Sequence, residues 1–144
     1  MSYSAGRATQ AYASVGAQSS VAAASPHRLI QLLMDGALDR LSVAKGYMQR
    51  KEVQRKVVAI DRIMSIVDGL RMSLDHSVNA EMSENLESLY DYMNRRLLIA
   101  NINNDEAALD EVASLLKELK EAWDAIPAAV SGSESTARYQ TEAV

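Results

Sequence analysis

The sequence predicts an all-α protein, an antiparallel up-and-down four-helix bundle with a mobile N-terminal arm and a disordered C-terminal tail. Three observations carry this. Apolar residues recur every three or four positions through the middle of the chain, the period of a helix with one buried face. The periodic segments are joined by short connections, which favour antiparallel neighbours. The two prolines, Pro26 and Pro127, stand at the limits of the periodic region. The resulting division is an arm over 1–23, a helical domain over 24–127 and a tail over 128–144.

The first helix starts at Ser25-Pro26: a serine hydroxyl caps free amides, and proline fits the first helical position, where no hydrogen bond is lost. Leu29, Leu33, Ala37, Leu41, Ala44 and Met48 form its inward stripe. Ile30, Met34 and Leu38 form a second line beside it, so the apolar sector is broad. A second helix is expected from Val53 to Asp75, with Val53, Val57, Ile60, Met64, Val67, Leu70 and Leu74 inward. No proline or strong cap lies between Gly46 and Val53, which leaves the boundary of the first two helices unmarked.

Polar residues 76–79 precede a third helix, expected from Glu81 to Ala100. Leu86, Leu89, Met93 and Ala100 share its core face, while Tyr90, Leu97 and Leu98 fall outside that stripe as surplus apolar surface. The asparagines at 101, 103 and 104 interrupt the pattern, and Asn103 with Glu106 has the spacing of a capping box for a fourth helix. There Ala108, Val112, Leu115, Leu119, Ala122 and Ile126 form the inward stripe, with Leu109, Leu116 and Trp123 as a second line, and Pro127 ends the helix. The Ser-, Ala- and Gln-rich arm and the Ser-, Gly- and Thr-rich tail lack a core pattern.

Composition narrows the chemistry. The chain has 144 residues, no cysteine and a net charge of −4. That is enough for one domain with a real core, and it excludes disulfides, a thiolate nucleophile and a cysteine metal site. No apolar run approaches the ~20 residues that span a bilayer, and the start lacks a signal-peptide core. A cytoplasmic protein without membrane insertion is expected. Basic residues lead in 26–75 and acidic ones in 104–126, but Glu52 interrupts the basic run Arg50, Lys51, Arg55, Lys56, so nucleic acid is not the expected partner. The acids of the fourth helix sit where its dipole favours negative charge.

No catalytic constellation emerges. Ala24 and Ser73 stand three residues before His27 and His76, so the Glu-x-x-His signature of di-iron bundles is absent and both histidines read as capping or solvent-facing residues. Nucleophile elbows and phosphate-binding glycine loops are also missing. The chain is not expected to be an enzyme or to need a cofactor. Two functions remain: a module that holds an amphipathic segment of another protein between its helices, or a self-associating structural bundle. Both bury the same surface.

The motifs ASPHRLI at 24–30, LMDGAL at 33–38, NLESLYDYM at 85–93 and LLIAN at 97–101 resemble the flagellin-specific export chaperones of the FliS type. The resemblance covers about residues 12–123. Where that family usually carries tyrosine before Asp-Gly, this chain has Met34, an adaptable apolar filler. The resemblance implies a cytosolic chaperone. Its client would be the disordered C-terminal region of flagellin, kept from premature polymerisation and delivered to the gate of the flagellar type III export apparatus. Further flagellar regulators are possible partners. The client contacts expected on this basis are Ile30, Met34 and Leu38 on the first helix, Tyr90, Leu97 and Asn101 on the third, and Leu109 and Leu116 on the fourth. Tyr12 and Val15 are expected to cover the groove in the free protein.

Overall fold

The computed structural model describes residues 25–126, which form four helices: α1 (Pro26–Gln49), α2 (Val53–Met72), α3 (Ala80–Asn103) and α4 (Glu106–Asp124). They close into a ring in which α1 packs on α2, α2 on α3, α3 on α4 and α4 back on α1. Contacts between opposite ends set the antiparallel sense. His27 at the start of α1 meets Trp123 at the end of α4, and Lys56 at the start of α2 meets Asn104 just past the end of α3.

Each helix end has a local cause. The Ser25 hydroxyl accepts the Arg28 amide at 3.1 Å, and Pro26 occupies the first turn as expected. The break between α1 and α2, unmarked in the sequence, is made by Lys51, whose φ of 60° places it in the left-handed region. Glycine or asparagine usually fills that position, so a lysine there gives a reader no signal. Glu52 then lies between Arg50 and Arg55, at 2.6 and 3.2 Å.

The α2 helix stops at Met72, three residues short of the expected end, and the Ser73 hydroxyl donates to the Leu70 carbonyl at 2.8 Å. Asn79 caps α3 by accepting the Met82 amide at 3.0 Å. At the other end α3 runs through Asn101 to Asn103, and left-handed Asn104 (φ 52°) closes it. The capping box expected at Asn103 is therefore corrected: Asp105 caps α4, accepting the Ala108 amide at 3.2 Å.

The core draws on all four helices, with Leu33, Ile60, Ile63, Ile66, Met93, Leu97, Leu109, Val112 and Leu116 among its fully buried side chains. Several inward assignments change. On α2 the buried face is Lys56, Ala59, Ile60, Ile63, Ile66, Val67 and Leu70, while Val53 and Val57 point to solvent. On α3 the central line is Tyr90, Met93, Leu97 and Ala100, and Leu86 and Leu89 are only half-buried. On α4 Leu109 and Leu116 are core, Leu115 and Leu119 half-buried, and Ala122 exposed. Apolar identity alone could not fix the rotation of these helices, because each carries more apolar positions than one stripe uses. The arm, the tail and Pro127 lie outside the described residues.

Candidate functional site

The four seams of the ring differ in chemistry. Polar pairs bridge α1 to α4: Gln31 donates to Asp124 at 2.8 Å, Lys45 meets Asp110 at 2.9 Å, and Gln49 donates to Glu106 at 3.1 Å. At one end of this seam the Trp123 indole donates to the His27 carbonyl at 3.0 Å. Their rings stack with centroids 5.0 Å apart. His27 is thus buried rather than solvent-facing.

Between α3 and α4, Glu111 accepts from the Tyr92 hydroxyl at 2.6 Å and from Arg96 at 2.7 Å. The Tyr92 hydrogen bond and then that of Arg96 hold the Glu111 carboxyl below its ordinary pKa, and the same bond pushes the Tyr92 phenol up. Exposed pairs of this kind contribute little stability each. They do line these two seams with charge.

The α2–α3 seam is built otherwise. On α2, Val53, Val57, Met64, Asp68 and Arg71 repeat at helical spacing. On α3, Glu87, Asp91, Asn94, Leu98 and Ile102 do the same. Two bonds set these rows side by side: the Asn94 amide donates to Asp68 at 3.0 Å, and the Lys56 ammonium donates to the Asn101 carbonyl at 2.8 Å. Toward the α2 N-terminus the seam is apolar, with Val53 58%, Val57 42%, Leu98 49% and Ile102 69% exposed. Toward the α2–α3 turn it becomes an open polar depression of about 460 Å³ lined by Arg71, Glu84, Glu87, Ser88 and Asp91. His76 approaches Glu87 there at 3.4 Å.

Against this geometry the residues expected from the sequence divide. Ile30 and Leu38 are half-buried at the surface of α1, and Asn101 is half-buried on the α2 side of α3. Met34, Tyr90, Leu97, Leu109 and Leu116 are core residues, none more than 4% exposed. Burial of the Tyr90 ring pushes its phenol up. The expectation that Tyr90 and Leu97 are surplus is corrected: both complete the core line of α3, whereas Leu98 is the side chain left outside. Asn101, expected to interrupt the helical pattern, lies within α3. Tyr12 and Val15 lie outside the described residues.

Sequence reasoning missed Val53, Val57 and Ile102 as surface residues. The available signal was that α2 holds β-branched residues on more than one face. Among the described residues no group of three His, Cys, Asp or Glu side chains is placed to hold a metal ion. No described helix is long and apolar enough to cross a membrane.

A closed helical ring with an apolar, open seam has the features of a helical binding module. Comparison with known proteins makes the assignment specific: the chain belongs to the family described as flagellar protein FliS, which matches residues 8–130. It is 45% identical over 120 residues to the flagellar secretion chaperone FliSB of Pseudomonas aeruginosa, covering 83% of this chain and 95% of that one. It is 43% identical over 127 residues to flagellar secretion chaperone FliS of Salmonella typhimurium, covering 88% and 94%. The FliS of Bacillus subtilis is 33% identical over 106 residues, covering 74% and 78%.

Proposed function

We propose that this protein is a cytosolic flagellar export chaperone that masks the C-terminal segment of flagellin before export and hands it to the export gate. The observation that carries the reading is membership of a family whose relatives, similar over most of their length, are named flagellar secretion chaperones. The physical logic is direct. A segment destined for a filament carries apolar side chains that would pair prematurely, and covering them on a helical surface removes the wrong partner. Ordering such a segment costs free energy, which suits a complex that must later come apart.

The contact surface proposed for the client begins on α1 at Ile30 and Leu38, half-buried and so able to gain burial from a partner. Met34, Tyr90, Leu97, Leu109 and Leu116 support that surface from beneath by fixing the helices that carry it. Binding needs no chemistry from the chaperone, and release is driven by the export machinery.

Calorimetric titration of a peptide from the flagellin C-terminus tests the reading. Wild type should bind, and Ile30→Ser with Leu38→Ser should lose more than about 1 kcal/mol of binding if these are anchoring contacts. Denaturant melts of the variant check that the bundle persists. Absence of binding by wild type would overturn the chaperone reading in favour of a self-associating bundle.

A further inference from the structure

We propose that the α2–α3 seam is a second docking groove, for a helical segment of another protein whose apolar face leads into basic residues. Four exposed apolar side chains, Val53, Val57, Leu98 and Ile102, line one half of the seam. In the other half Glu84, Glu87 and Asp91 outnumber Arg71 in the lining of the open depression, and although Asp91 pairs with Arg95 and Arg71 with Asp68, Glu84 and Glu87 meet no lysine or arginine there among the described residues. From Glu84 to Ile102 the α3 row runs about 27 Å at ~1.5 Å per residue. A partner helix of about that length fits along it, laying apolar anchors at helical spacing into the first half and ammonium or guanidinium groups into the second.

Where the halves meet, the side-chain oxygens of Asn94 and Asn101 are buried without a hydrogen-bond donor among the described residues. Each belongs to a residue one turn from Leu98. Buried acceptors are normally paired, so these two oxygens are exceptions beneath the middle of the groove.

The polarity of the groove selects its occupant. A second copy related by a two-fold axis would set carboxylates against carboxylates or bury them against the partner's valines and leucine, and like or unpaired charges at an interface are unfavourable. Residues 1–24 contain a single cationic side chain, Arg7, and residues 127–144 offer Arg138 beside Glu134 and Glu142. Neither terminus complements the acidic half. The groove also lies across the ring from the α1–α4 seam, and α1, which carries Ile30 and Leu38, contributes no side chain to it.

The probe is a synthetic helical 18-residue peptide with leucines at helical spacing through one half and lysines through the other. It is made in both chain directions and titrated into the full-length protein by calorimetry. A control peptide carries glutamate in place of lysine. One direction of the lysine peptide should bind at least about tenfold more tightly than the control, a difference of ~1.4 kcal/mol. Glu87→Lys with Asp91→Lys should reverse that preference, a gain of binding that a misfolded variant could not produce. Val57→Asp with Leu98→Asp should abolish both.

Prior saturation with a flagellin C-terminal peptide should leave the lysine-peptide affinity within about twofold, because distant sites without shared partners act nearly independently. The proposal is overturned if neither direction binds, if lysine and glutamate peptides bind equally, or if flagellin displaces the lysine peptide. It is also overturned if binding requires removal of residues 1–24, or if sedimentation shows a wild-type dimer that Leu98→Asp dissociates. Those two outcomes assign the groove to the chain's own terminus and to a second copy.

Discussion

The buried ammonium of Lys56 donates to the side-chain oxygen of Asn104 at 2.7 Å, tying the first turn of α2 to the left-handed residue that ends α3. The same ammonium donates to the Asn101 carbonyl at 2.8 Å, one of the last carbonyls of α3 that the helix itself cannot satisfy. One lysine thereby fixes the corner between α3 and α4 and the edge of the open seam. Its alkyl stem packs in the core while the charged head meets two oxygens.

This corner should be sensitive in a residue-specific way. Asn104→Ala should cost more than Asn104→Gly by roughly 1–2 kcal/mol, because only alanine adds the left-handed backbone penalty to the lost acceptor. Lys56→Met should destabilise by about 1–3 kcal/mol through the unsatisfied oxygens it leaves. Urea melts of the three variants make the comparison, and equal stabilities for the alanine and glycine variants would refute the backbone argument.

Adjacent leucines on α3 should behave as opposites. Leu97→Ala removes a fully buried side chain and should cost roughly 2–5 kcal/mol. Leu98→Ala, half-exposed on the seam, should fall within about 0.5–1 kcal/mol of wild type. Thermal melts followed by circular dichroism decide it; similar losses for both would mean that the rotation of α3 is wrong.

The α3–α4 seam should carry a measurable pH dependence. Glu111 has a folded pKa held below that of the unfolded chain by the hydrogen bond from Tyr92 and then by that from Arg96. Its contribution is therefore present above the unfolded carboxylate value, about 4.3, and is lost as pH falls through the folded value. Stability measured at neutral pH and again near pH ~3 should fall further for wild type than for Glu111→Gln, which has no carboxyl to protonate. A parallel decline would place the acid sensitivity elsewhere.

How far the sequence could be read depended on the kind of signal each residue offered. Ser25 and Pro26 marked the start of α1 because their chemistry acts locally. Lys51 gave no warning of the turn after it, because a lysine in the left-handed region is held there by its surroundings and not by its own preference. The caps Asn79 and Asp105 lay one or two residues from where the pattern drew the boundaries, as expected where several Asn and Asp residues compete for one role.

The sequence by itself determined four helices, their antiparallel order and a family resemblance carried by local motifs. Helical period, capping chemistry and short connections all act within a few residues of the chain. Only the tertiary structure decided which apolar side chains became core. Tyr90, Leu97, Leu109 and Leu116 went inward, and Val53, Val57, Leu98 and Ile102 were left on an open seam. Each helix carries more apolar positions than one buried stripe requires. The rotation that selects among them is set by mutual packing of four helices and by cross-helix bonds such as Lys56 to Asn101 and Asn94 to Asp68, partners far apart in sequence that no local pattern pairs.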